Sequence, residues 1–234
     1  MSCFFVTGTD TNVGKTTASR AIIQALQNKG IKTVGYKPIA CNHEEMIQRN
    51  AILPEKTDYD SKENIDVLTL INSSNEKLSY TEANSYTFNY TLPILLAEKN
   101  RVDLGKIDRA LAQLVSKYQS VVVEGSFGLL TPMDEKKSFA DWILMHKMPA
   151  LLVVGIKDGC INHALLTALA LKTLGIPLLG WIANRINPFL GHYAEVIDIL
   201  KTHINAPLIG KIPYIHKPEE QELGQYLTNI ELLL

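Results

Sequence analysis

Two short runs limit the fold of this chain more than any other feature. SVVVEG at 120–125 and PALLVVG at 149–155 carry apolar residues on both faces of any strand they form. Side chains of a strand point alternately to opposite faces, so a strand wetted on one side alternates apolar and polar residues. Runs that are apolar on both faces require a sheet covered on both sides, as in a parallel sheet sandwiched by helices. Similar runs lie at 3–7, 32–36, 178–183 and 207–211, and the stretches 15–29, 103–118, 139–147, 160–174 and 190–203 have helical period. This alternation predicts an α/β fold with a doubly wound, mostly parallel sheet flanked by helices.

Residues 41–63, CNHEEMIQRNAILPEKTDYDSKE, break the rhythm with charge, a proline and no periodicity. They read as a mobile surface excursion after the second strand. With no repeat, low-complexity tract or linker elsewhere, residues 1–234 read as one domain. The formal net charge of -1, with 20% charged residues, lacks the electrostatic excess of a nucleic-acid or polybasic membrane binder, so a small polar partner is expected instead. No basic leader and no run near the ~18 apolar residues of a membrane span occur, which predicts a cytoplasmic protein. Cys3, Cys41 and Cys160 are odd in number and far apart, unlike a disulfide framework or a zinc ligand set.

The stretch FFVTGTDTNVGKTTASR, residues 4–20, resembles a phosphate-binding loop ending in Gly14-Lys15-Thr16, with five residues between Gly8 and Gly14 where the common pattern has four. Its strand–loop–helix context supplies the mechanism. Backbone N–H groups and the dipole of the helix start seat anionic oxygens, Lys15 neutralises β- and γ-phosphate charge, and the Thr16 hydroxyl ligates Mg²⁺. The expected class is therefore a three-layer P-loop nucleotide hydrolase-like fold.

Four more polar residues stand at strand ends or nearby. Lys37, in VGYKPIA, lies at the carboxyl edge of the sheet where ligands of open α/β sheets bind; a lysine there is by itself more often a solvated charge, but its place beside the phosphate loop favours function. Pro38 behind it predicts an extended exit. Glu124, at the tip of VVVEG, is either turn chemistry before Gly125 or a metal-directed acid of the Walker-B type, and the upstream phosphate loop favours the metal role. Asp66, in ENIDVLTL, is a further oxygen ligand or an exposed acid of a first helical turn. Asn184, in GWIANRINP, offers a donor and an acceptor that match the edge of adenine, or caps the turn toward Pro188.

In order along the chain, VTGTDTNVGKT, GYKPIA, VVVEG, FADW, GCINHALLT, GWIAN and APLIGKIPY resemble the dethiobiotin synthetase family, whose loop carries the same additional residue. The resemblance implies an ATP- and Mg²⁺-dependent cyclo-ligase of biotin synthesis that closes a cyclic urea from 7,8-diaminononanoate and CO₂. A carbamate forms on one amine, its oxygen attacks the γ-phosphate to give a carbamic-phosphoric anhydride, and the second amine closes the ring. Transferred to this numbering, Lys37, Lys15 and Thr11 are catalytic. Asn12, Val13, Gly14, Lys15, Thr16, Thr17, Asn184 and Pro213 bind ATP. Thr16, Asp66 and Glu124 hold the metal. Thr11, Lys37, Cys41, Gly125 and Ser126 meet the diamine, and Asn162 reaches the substrate of the neighbouring subunit, which implies a homodimer.

The chain departs from the family at Asn12, often acidic, and at Cys41, often serine. It departs again at Ser126-Phe127-Gly128, where the family has a Gly-rich stretch, and at Val196, where the family has a tyrosine, with Tyr193 nearby. A glycine with φ > 0 at the family position would leave Phe127 strained and its ring in substrate space. A paralogue with an intact ATP site and a different amine or acid is one alternative. A regulatory P-loop ATPase of the deviant-Walker class is another, although Asp10 stands where that class carries a lysine. A GTPase would need an Asp that ANRINP lacks.

Overall fold

The computed structural model describes residues 2–41, 63–88 and 102–233, so all but the two ends of the 41–63 excursion lies outside the described residues. Strands β1 (Ser2–Gly8), β2 (Thr33–Cys41), β3 (Asn84–Phe88), β4 (Ser120–Glu124), β5 (Ala150–Ile156), β6 (Leu178–Arg185) and β7 (Leu208–Ile212) form one sheet. Their order is β3-β2-β4-β1-β5-β6-β7, and every pairing is parallel. Helices α1 (Lys15–Asn28), α2 (Ile65–Ser73), α3 (Tyr80–Ala83), α4 (Leu104–Lys117), α5 (Phe139–Met145), α6 (Cys160–Thr173) and α7 (Tyr193–His203) connect the strands. The predicted doubly wound sheet is present.

Burial follows the two-residue period of the central strand. Phe4 and Val6 pack with Ile22 and Leu26 of α1, while Phe5 between them packs on the other face with Leu111 of α4 and Trp142 of α5. A third cluster joins Leu152, Val154 and Trp181 to Ala164 of α6 and Leu200 of α7. Both faces are therefore dry, which is why these strands tolerate unbroken valine and leucine. No helix among the described residues is long and apolar enough to cross a membrane.

Four elements differ from the sequence-based expectation. β2 continues past residue 36 to Cys41, through Pro38. It pairs with β4 from Thr33 to Tyr36 and with β3 from Lys37 to Cys41, so the missing proline N–H falls where the β4 ladder has ended. β3, α2 and α3 fall outside the expected elements; all three are short, β3 (NSYTF) is mostly polar, and α2 (IDVLTLINS) carries a short apolar stretch. Asn64 caps α2 by accepting from the N–H groups of Asp66 and Val67.

The C-terminal segment, with its short 3₁₀ turns, closes the α1 face through Leu223 and Leu227. It passes so near β7 that a Cβ on Gly210 would lie 2.7 Å from the Leu227 Cα. Gly210→Ala is expected to lower stability by about 1–3 kcal/mol, because main chain cannot rotate away as a side chain can. A urea midpoint that falls at unchanged slope is the measurement.

Candidate active site

The carboxyl ends of β1, β2, β4 and β6 converge around α1. Gly14 precedes the helix at φ 86 and ψ 39, and no side chain caps it. The first-turn N–H groups therefore keep the positive end of the helix open to a ligand. They border a cavity of about 280 Å³ lined by Thr11, Asn12, Gly14, Lys15, Thr16 and Thr17 of the loop and by Lys37, Cys41, Asp66, Ser126 and Phe127. Asn12 sits at φ 57, a left-handed conformation that asparagine tolerates. A Cβ at Gly14 would overlap the Asn184 amide, so only glycine fits that position.

Lys15 is buried. Its Nζ donates to the main-chain carbonyls of Asp10 at 2.8 Å and Phe127 at 2.6 Å. Burial first, then the charge of Lys37, lowers its pKa to about 8, with Glu124, Asp66 and Asp10 opposing the change. Phe127 adopts φ 60, as expected had a glycine belonged there, and that conformation brings its carbonyl to Lys15.

The second cation is Lys37. Register pairs Tyr36 with Val123, so the next residue on each strand is Lys37 and Glu124. Lys37 Nζ lies 2.6 Å from Glu124 Oε1 and 2.8 Å from Asp66 Oδ2, which arrives from the first turn of α2. Thr16 Oγ1 donates to the same Glu124 oxygen at 2.7 Å. Burial alone would discharge Lys37, but the charges and hydrogen bonds of Glu124 and Asp66 prevail and hold its pKa above the ordinary value. Asn84 of β3 fixes the Lys37 peptide by donating to its carbonyl at 2.7 Å.

Glu124 is fully buried, and its Oε2 has no hydrogen-bond partner among the described residues. An orphaned carboxylate oxygen beside the Thr16 hydroxyl and the Asp66 carboxylate suits a hard divalent cation with oxygen ligands. Charge supports the fit: two ammonium groups already balance two carboxylates here, so a triphosphate brings negative charge that a further cation would offset. No group of three His, Cys, Asp or Glu occurs among the described residues, so such a site would also draw on ligand oxygens.

The other expected residues divide. Cys41 reaches the cavity, its thiol pushed up to about 11 by burial with Lys37 pulling the other way. Ser126 also lines it, but its hydroxyl is bonded to the Ile39 carbonyl. Val13 is buried below the loop and accepts from Asn184 Nδ2 at 2.9 Å, so this amide braces the phosphate loop. Gly125 packs where a Cβ would meet the Phe5 ring and does not line the cavity. Asn162 and Pro213 are exposed and outside it. Asp66 stands in the first turn of α2, half-buried, and lines the cavity. Sequence reasoning missed Asn84 and the two carbonyls that receive Lys15.

A family described as an AAA domain matches residues 3–222 of the chain. The chain is 64% identical to the ATP-dependent dethiobiotin synthetase BioD 1 of Haemophilus influenzae over 234 residues, covering 100% of this chain and 97% of that protein. It belongs to the dethiobiotin synthetase family. Likewise, the ATP-dependent dethiobiotin synthetase BioD of Mannheimia succiniciproducens is 58% identical, with 100% and 96% covered. Among solved structures, the MinD cell division protein of Aquifex aeolicus is similar in fold alone, with a TM-score of 0.54 at 16% identity, covering 100% of this chain and 95% of that one. This member of the synthetase family thus shares its sheet with MinD while carrying Asp10 in its loop.

The low pKa of Lys15 has a consequence for ligand binding. In the free protein the ammonium is present below about pH 8 and is lost as pH rises through that value. Affinity for a nucleoside triphosphate is expected to fall over that range, and binding above it to take up a proton. Calorimetric titrations in buffers of different ionisation heat measure that uptake, and Lys15→Met should abolish it.

Proposed function

We propose that this ATP-dependent dethiobiotin synthetase of biotin biosynthesis uses the cavity between Lys15 and Lys37 to make a cyclic urea from 7,8-diaminononanoate, CO₂ and ATP. The observation that carries the proposal is Lys37, a buried ammonium bonded to Glu124 and Asp66 on the wall of the cavity that the phosphate loop opens into. One amine of the diamine adds to CO₂ and loses a proton, giving a carbamate. A carbamate oxygen attacks the γ-phosphorus and ADP leaves; the second amine then attacks the carbonyl carbon and phosphate leaves.

Each residue has a defined task in this scheme. Two anions must meet, so fixed positive charge is the main requirement. An ammonium has three donors, and Lys37 uses two on Asp66 and Glu124, leaving one for the carbamate. Lys15 exchanges its two carbonyl acceptors for phosphate oxygens. The open N–H groups of α1 seat the phosphates, with Asn12, Val13, Gly14 and Thr17 shaping the seat, and Thr11 faces the diamine. Thr16, Asp66 and Glu124 would hold Mg²⁺, whose contribution is neutralisation of triphosphate charge. Asn184, near the end of β6, and Pro213, just after β7, would meet the base.

A homodimer accompanies the proposal. Asn162 shares one face of α6 with Leu166 and Leu169, spaced four and three residues apart, and these leucines are 57% and 58% exposed. An apolar face beside Asn162 suits a second copy whose diamine Asn162 completes. Leu166→Glu is expected to shift the protein to monomers in sedimentation and to raise KM for the diamine more than KM for ATP.

Purified protein with Mg²⁺-ATP, bicarbonate and the diamine should release phosphate in step with ring closure. Lys37→Ala is expected to lower that rate by 10²-fold or more, about the loss of one buried transition-state contact. It would also leave Glu124 buried beside a missing cation, at a stability cost of about 3–5 kcal/mol, so Lys37→Arg and a melting curve accompany the assay. A second reading, a paralogue acting on another amine or acid, is favoured by Phe127, whose φ of 60 and place on the cavity wall alter the diamine half. ATP binding without diamine-dependent phosphate release would select it.

A further inference from the structure

Asp10 puts a carboxylate inside a loop that seats phosphates, where a like charge opposes loading. Three contacts determine what it does instead. Its Oδ1 accepts the Thr11 N–H at 2.7 Å, its main-chain carbonyl accepts Lys15 Nζ at 2.8 Å, and its Oδ2 lies 3.3 Å from Lys157 Nζ. Lys157 directly follows β5, the neighbour of β1 in the sheet, and Thr9 just before Asp10 donates to Val153 of β5 at 3.2 Å. The pair therefore joins two adjacent loops whose bases are already fixed.

Burial opposes charge on Asp10, yet the Thr11 N–H and the bond and charge of Lys157 prevail, with His163 adding to them, and its carboxyl is held below the ordinary value. Both side chains are partly exposed, 47% for Asp10 and 36% for Lys157, so the pair contributes little to folding stability. Its effect falls on the ligand that meets the loop.

We propose that Lys157 is a positioning residue for triphosphate binding, which cancels the Asp10 charge and ties that carboxylate to the end of β5. The inference rests on the cavity being the ATP site. It makes Lys157, a residue outside the phosphate loop, a contributor to how well that loop accepts an anion. It also links the loop to the start of α6, which carries Asn162.

The test is calorimetric titration of the full-length protein with Mg²⁺-ATP, together with steady-state kinetics. Lys157→Gln should weaken ATP binding and raise KM for ATP about fivefold with a smaller change in kcat, the size of one exposed like charge at short range. The loss should shrink at high salt, and Lys157→Arg should bind as the wild type does. Adding Asp10→Asn to Lys157→Gln should restore most of the affinity, because the charge is gone while the amide oxygen still accepts the Thr11 N–H. Asp10→Asn alone should bind ATP at least as tightly as the wild type, which tests the idea even if Lys157→Gln folds poorly. Unchanged affinity in Lys157→Gln, or a double variant as weak as that single one, would overturn the proposal while leaving the ATP site intact. A wild-type protein that binds no ATP would overturn both.

Discussion

The buried contact of Lys37 with Glu124 and Asp66 is the constraint on which the rest of the site depends. Removing an ammonium and a carboxylate from water is costly for each alone, and besides one another Lys37 and Glu124 are matched among the described residues only by Asp66 and by the Thr16 hydroxyl. Each therefore requires the other in place. Parallel pairing of β2 with β4 brings them together, because residues in adjacent positions of a register have no freedom to separate. Asp66 arrives from outside the sheet, on a helix held by its own cap. Strand order, register and cap all converge on one ammonium group.

Around that group the site is nearly neutral before any ligand enters. Lys15 rests on two carbonyl oxygens, Lys37 on two carboxylates and Asp10 on Lys157. None of these charges faces solvent alone. A triphosphate bound at the proposed site would exchange partners within an existing array and would not have to assemble one.

Much of this was legible in the sequence, for reasons that can be stated residue by residue. Valine runs with both faces apolar announced a covered parallel sheet, and Gly-Lys-Thr after the first of the strands announced the loop. The position of Phe127 suggested a left-handed backbone, and its φ of 60 agrees. What stayed hidden depends on main-chain direction or on partners far along the chain. Pro38 read as an exit because sequence alone does not tell which flank of a strand is paired there. NSYTF has too little apolar contrast to register as β3. The carbonyls of Asp10 and Phe127 leave no residue-type signature, since every residue has one. Gly125 read as substrate-facing, but its lack of a side chain makes room for Phe5.

Asn184 braces the phosphate loop and is also the residue proposed to meet the base. Its amide bonds Val13 and occupies the space that a side chain at Gly14 would need, while its strand end lies on the side assigned to the base. If the proposed adenine contact falls on Asn184, one buried side chain serves both the base and the phosphate loop. A substitution meant to retune base preference at Asn184 would loosen the phosphate loop as well, so selectivity and affinity cannot be varied independently at this position.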